Sequence, residues 1–130
     1  MDPFICFDYD RDGDVDIFVT NNRDKPKLYR NNSRSEDNTH FINIRLQGLN
    51  KNTEAIGAKV YVTANGVTQL QEMHAGGGFL TGSPAELHFG LGSDTTVDSI
   101  RIVWPRPNYV EHTLHDIDAD QFITITQPNE

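Results

Sequence analysis

Ser99-Ile100-Arg101-Ile102-Val103-Trp104 decides the fold class. Its bulkiest apolar residues fall at every second position, so Ile100, Ile102 and Trp104 share one side of an extended chain and Arg101 faces the other. Phe41-Ile42-Asn43-Ile44-Arg45-Leu46 repeats the pattern, with Ile42, Ile44 and Leu46 against Arg45. Strands of this kind cover a core on one side and meet water on the other. Nowhere do apolar residues recur at helical spacing for three turns, so the expected class is all-β.

Outward from these two runs, strands are expected at 4–7, 17–20, 27–30, 41–46, 58–64, 68–74, 86–89, 99–104, 112–114 and 121–126. Asn65-Gly66, between two such runs, is a hairpin signal because both residues tolerate positive φ. Residues 31–39 hold no large apolar side chain and read as a linker or long loop. They divide the chain into residues 1–39, with about three short strands, and residues 40–130, with about seven. The second piece is long enough for a small β-sandwich or jelly-roll-like barrel. The first is too thin to make a stable sheet by itself.

The chain has 130 residues, 36% of them hydrophobic, and a formal net charge of −8. Nucleic acid and anionic membrane surfaces require a basic patch, so this balance excludes both as expected partners and favours cations. No apolar run approaches the roughly 18 residues of a membrane-spanning helix, and the first residues do not read as a signal peptide. The lone cysteine, Cys6, lies in the apolar run Phe4-Ile5-Cys6-Phe7, where a small buried hydrophobe is expected.

Asp8-Tyr9-Asp10-Arg11-Asp12-Gly13-Asp14-Val15-Asp16 places carboxylates at relative positions 1, 3, 5, 7 and 9 with glycine at 6. A hard cation needs six to eight oxygen ligands, which alternate side chains of a tight turn can supply, and the glycine permits the reversal. The spacing assigns calcium to side chains of Asp8, Asp10 and Asp12, to the backbone carbonyl of Asp14, and to Asp16 directly or through water. Position 12, where a helix-flanked calcium loop carries glutamate, is Val19, so this loop leads into a strand. Without a cation, carboxylates about 5 Å apart repel by roughly 3 kcal/mol per pair.

The loop followed by Ile17-Phe18-Val19-Thr20-Asn21-Asn22 and Lys27-Leu28-Tyr29-Arg30-Asn31-Asn32 resembles the end of an FG-GAP or VCBS-type repeat, the calcium-loop blade of β-propellers. The rest resembles the ASPIC/UnbV domain. Gly57-Ala58-Lys59-Val60, Gly76-Gly77-Gly78-Phe79-Leu80, Phe89-Gly90-Leu91-Gly92 and Val103-Trp104-Pro105 carry that likeness. Arg106-Pro107-Asn108 stands where the family has a glycine-bearing turn, and Thr81 where it has serine. The resemblance implies an incomplete propeller-type blade ahead of a β domain, an extracellular or periplasmic location, and a role in binding or adhesion.

Weaker signals have plainer explanations. His112 and His115 lie three apart and so face opposite sides of a strand. Asp116, Asp118 and Asp120 read as solvated acids of a loop between strands. The Gly76 to Gly78 run lacks phosphate-loop spacing and reads as a bulge, and Phe89-Gly90-Leu91-Gly92 reads as a strand ending in a tight turn. Among aromatics that could stack on sugars, Tyr29, Tyr61, Trp104 and Tyr109, the phase of Trp104 assigns it to the core. The expected function is a calcium-binding, non-catalytic interaction module whose ligand is a carbohydrate or a protein. The alternatives are a glycan-acting enzyme using Glu72 and Glu86 as paired carboxylates and a module that homodimerises through strand edges.

Overall fold

The computed structural model describes residues 4–21, 23–32, 39–49, 51–74, 86–105 and 110–128. Its ten strands are β1 (Phe4–Phe7), β2 (Asp16–Val19), β3 (Lys27–Tyr29), β4 (His40–Gln47), β5 (Lys59–Ala64), β6 (Val67–Glu72), β7 (Leu87–Gly92), β8 (Thr96–Val103), β9 (Glu111–Asp118) and β10 (Gln121–Thr126). There is no helix among the described residues. The protein is all-β with three small sheets. Contacts divide it into two compact units, one holding β1 to β3 and the other β4 to β10.

The second unit contains two sheets, ordered β10-β4-β7 and β6-β5-β8-β9. All the alternating residues named above as inward-facing are buried: Ile42, Ile44 and Leu46 on β4, and Ile100, Ile102 and Trp104 on and just after β8. They join Val60 and Val62 of β5, Leu87, Phe89 and Leu91 of β7 and Ile125 of β10 in one buried cluster fed by both sheets. Burying each such side chain contributes about 1.5–3 kcal/mol. Arg45 and Arg101 point to solvent, as their phase requires. The sheets do not close on one another, which removes the barrel from the expected architectures: β10 and β7 end one sheet, and β6 and β9 end the other.

Of the five neighbouring pairs in this unit, β5–β6 and β8–β9 join consecutive strands, whereas β10 runs parallel to β4, with Ile123 opposite Ile44 and Ile125 opposite Leu46. A parallel pair cannot be a hairpin and needs a long connection, here everything between the two strands. Asp120 fastens its start: its carboxylate lies 2.6 Å from His40 Nδ1 and accepts the Phe41 N–H at 3.3 Å. The β5–β6 hairpin turns at Asn65 and Gly66, with φ of 48° and 76°, as the sequence signal demands.

β9 is longer than its apolar pattern suggested. Asp116 and Asp118 belong to it, and only Asp120 sits in the turn that follows, so the reading of all three as loop acids is corrected. The cause is local: Asp116 has φ of 54°, and burial changes phase between Leu114 and Ile117. The paired strand β8 changes phase at the same level, between Val97 and Ile100, and the pairing register stays constant.

Where β6 and β7 end their sheets, two side chains join them. Gln71 Nε2 donates to the His88 carbonyl at 2.6 Å and Gln69 Nε2 to the Gly90 carbonyl at 2.7 Å. β7 itself runs through Gly92, whose φ of 59° ends it in a turn as expected. The Gly76 to Gly78 run and Tyr109 lie outside the described residues.

The first unit is a three-stranded antiparallel sheet, β1-β2-β3. Register places Cys6, Ile17 and Tyr29 opposite one another, with Phe4, Val19 and Lys27 on the same face. On that face Phe4, Ile17 and Tyr29 are 49%, 42% and 55% exposed. Cys6 is exposed with them, which corrects its expected burial. Ile5, Phe7 and Phe18 on the opposite face are half-buried.

Candidate metal centre

The loop connects β1 to β2 and starts and ends at neighbouring positions, because Phe7 pairs with Asp16. Asp8 therefore begins the loop beside the residue that closes it. Two left-handed residues fold the intervening chain, Arg11 at φ 57° and Gly13 at φ 98°. Gly13 holds the more extreme value, where a Cβ would be strained.

The loop's own amides organise its acids. Asp8 accepts the Asp12 N–H on Oδ1 at 3.1 Å and the Gly13 N–H on Oδ2 at 2.9 Å. Asp12 Oδ1 accepts the Asp14 N–H at 2.9 Å. Asp16, fully buried, accepts from Tyr9 N–H at 3.2 Å on one oxygen and from Asn31 N–H at 2.7 Å on the other. One carboxylate thus ties the start of the loop, the start of β2 and the chain beyond β3.

The result is convergence. One carboxylate oxygen from each of Asp8, Asp10, Asp12 and Asp16 lies within 4.8 Å of the other three. Asp14, assigned through its backbone carbonyl, is buried with its side chain outside this group. The donors are all oxygen, the choice of a hard cation and not of a thiophilic or imidazole-preferring metal. Calcium holds oxygens at about 2.3–2.6 Å, so two of them across one ion lie as much as about 5 Å apart, and the group fits that sphere. Each carboxylate oxygen has two lone pairs, so an N–H already accepted does not use up its capacity.

Burial pushes the Asp8 carboxyl above its ordinary range, opposed by the Gly13 and Asp12 N–H groups and reinforced by the carboxylates of Asp12 and Asp10. Arg30, just past β3, supplies the countercharge: its Nε is 3.0 Å from Asp10 Oδ2 and its Nη2 3.6 Å from Asp12 Oδ2. Those carboxylates, Asp10 first, hold the guanidinium above its usual pKa. Sequence spacing gave no sign of Arg30; only the hairpin from β2 to β3 brings it to the loop.

His112 is half-buried in phase with Leu114 while His115 is exposed, so the two face different sides of β9. Among the described residues no second group of three acids, histidines or cysteines gathers as the loop does. Glu72 is exposed on β6 opposite Lys59, and Glu86 accepts from Asn43 Nδ2 at 3.3 Å. Trp104 is fully buried, as its phase predicts. Tyr61 has one ring face taken by Arg101, 4.2 Å from its centroid.

A two-sheet β unit that follows an acidic loop in the sequence is the class of molecule these observations define. The ASPIC and UnbV family model matches residues 48–130, from the segment after β4 through β10, and the chain belongs to that family. The match does not extend over the aspartate loop, for which no FG-GAP or VCBS match is found. No curated protein matches the chain.

Proposed function

We propose that the chain is a calcium-stabilised, non-catalytic interaction module of a secreted or surface protein. The convergence of Asp8, Asp10, Asp12 and Asp16 carries the reading. An apo loop bearing these charges is destabilised by about 3 kcal/mol for each close pair at an effective dielectric near 20, and a divalent ion relieves several pairs at once. Residues 1–39 act as a partial FG-GAP or VCBS-like blade, in which the ion pins the hairpin of β1 and β2. Residues 40–130 form the ASPIC/UnbV-like β domain that engages a carbohydrate or protein. Calcium is preferred to magnesium because magnesium keeps its own waters and demands a stricter octahedron.

Thermal unfolding in millimolar calcium against excess chelator tests this directly. Calcium raises the melting temperature of the wild type and leaves Asp10→Ala and Asp12→Ala unmoved. Equal melting with and without calcium in the wild type removes the ion from the function.

A second reading rests on the open face of the first unit, where Phe4, Ile17 and Tyr29 are exposed. Exposed apolar surface on a thin sheet, with edges unpaired among the described residues, favours pairing of two copies. Light scattering decides between monomer and dimer, and Tyr29→Lys returns a dimer formed through this face to monomer.

A further inference from the structure

The second unit holds a polar groove that no part of the reading above has used. It has a volume of about 430 Å³ and is lined by Arg45, Leu46, Gln47, Thr53, Glu54 and Thr124. That volume lies within the range of small-molecule sites. Its floor is the solvent face of the parallel β4–β10 pair, where Arg45 stands opposite Thr124. Its wall carries Thr53 and Glu54.

That wall is fixed before any ligand arrives. Gly48 N–H donates to the Thr53 carbonyl at 2.9 Å and Ala55 N–H to the Asn52 carbonyl at 3.0 Å. The Asn52 side chain bonds Ile56 in both directions, at 2.9 and 3.0 Å. Leu49 N–H donates to the buried side chain of Gln127 at 3.1 Å, and Gln127 N–H to the Gln47 carbonyl at 2.8 Å. A Cβ at Gly48 would overlap the Asn52 carbonyl, so the turn is built around a glycine. Ala55, fully buried at φ 54°, keeps a left-handed conformation that alanine disfavours, next to Glu54. A strained residue persists only where its surroundings over-determine it, so Thr53 and Glu54 are held in place.

On this frame, among the described residues, the side chains of Arg45, Gln47, Thr53, Glu54 and Thr124 make no hydrogen bond. Arg45 and Glu54 carry opposite charges and line one groove, yet among the described residues neither has an ion-pair partner. The amide of Gln47 and the hydroxyls of Thr53 and Thr124 stand beside them. Apolar lining is limited to Leu46, 2% exposed, so an apolar ligand gains little here. Glu54 and the net charge of −8 oppose an anion, and Arg45 opposes a cation.

We infer that this groove binds a neutral saccharide. A sugar hydroxyl donates and accepts at once, so adjacent hydroxyls take the guanidinium's paired donors while others donate to Glu54, and no charge is left unmatched. The inference deepens the reading of residues 40–130 as an interaction module and does not depend on the ion at the aspartate loop.

Backbone amide shifts of the full chain are followed during titration with methyl glucoside, methyl galactoside, methyl mannoside and N-acetylglucosamine, with glucuronate and glycine as charged comparisons. The expected result is a saturable response to at least one neutral sugar at Thr53, Glu54 and Thr124, weakened about ten-fold or more in both Arg45→Ala and Glu54→Gln. Both side chains are exposed, and the unchanged remainder of each spectrum reports an intact fold. The inference is overturned by silence with every neutral sugar, by a response to glucuronate or glycine alone, or by a response that survives both substitutions. Repeating the titration with chelator separates the sites: a sugar response without any calcium effect on melting leaves the groove and removes the metal, and the converse leaves the metal and removes the groove.

Discussion

The unit of β4 to β10 and the unit of β1 to β3 face the same problem, a sheet with apolar side chains on a short chain, and meet it by different means. In the larger unit, two sheets feed one cluster in which Ile42, Ile44, Phe89, Ile100, Ile102 and Trp104 are fully buried. In the smaller, no residue of β1 or β3 is buried, and of β2 only Asp16 is. Its most enclosed side chain is therefore a charged group tied to two backbone amides. Hydrophobic burial is non-directional and tolerant of small shifts, whereas a carboxylate accepting two N–H groups depends on geometry and on charge. On the proposed reading, the first unit is the one whose stability answers to ions.

The largest expected effect breaks the larger unit alone. Trp104→Ala leaves a cavity in the cluster and costs about 3–5 kcal/mol in urea unfolding, while the calcium response of the loop persists in buffer. Loss of that response in the same variant sinks the independence of the two stabilising devices.

Next comes Asp16→Ala, which leaves the Tyr9 and Asn31 N–H groups without their acceptor and removes a proposed ligand. It costs about 2–4 kcal/mol in the first unit and abolishes the calcium effect, both read by hydrogen exchange of the β2 amides. Asp16→Asn retains one acceptor oxygen and recovers part of the stability without the ion response. Addition of calcium at about a hundred times its dissociation constant stabilises the wild type by about 2.7 kcal/mol. Placement of that gain in β4 to β10, seen by exchange, contradicts the assignment of the ion to the loop. The smallest effect is at the second unit's joined sheet ends. Gln71→Ala removes the bond to the His88 carbonyl and costs about 1 kcal/mol, with faster exchange confined to β6 and β7.

The difference between the units also governs what could be read in the sequence. Strands of the larger unit announced themselves because one face is core and one is wet, so alternation encodes burial: Ile100, Ile102 and Trp104 against Arg101 is an example. In β1 and β2 apolar residues occupy both faces, and phase alone could not say that Cys6 is exposed. The extent of β9 was hidden because the left-handed Asp116 breaks the period of two. At the site, the alternating aspartates were legible because their cluster is local in sequence. Its partners were not: Asn31 lies 15 residues from Asp16, and neither it nor Arg30 carries a mark of the loop it serves. The pairing of β10 with β4 was equally silent, since both strands show ordinary alternation and nothing in either names its neighbour.

That pairing has a consequence for how the protein comes into being. His40 and Asp120, which fasten the two strands, are 80 residues apart. During synthesis β4 leaves the ribosome with the β10 side of its sheet vacant, and it must wait for some 80 further residues before the sheet is complete. Local hairpins such as β5–β6 can form meanwhile, but the shared core cannot close until that distant strand arrives. A topology so dependent on remote contacts folds slowly, and in the interval the apolar side of β4 stays uncovered.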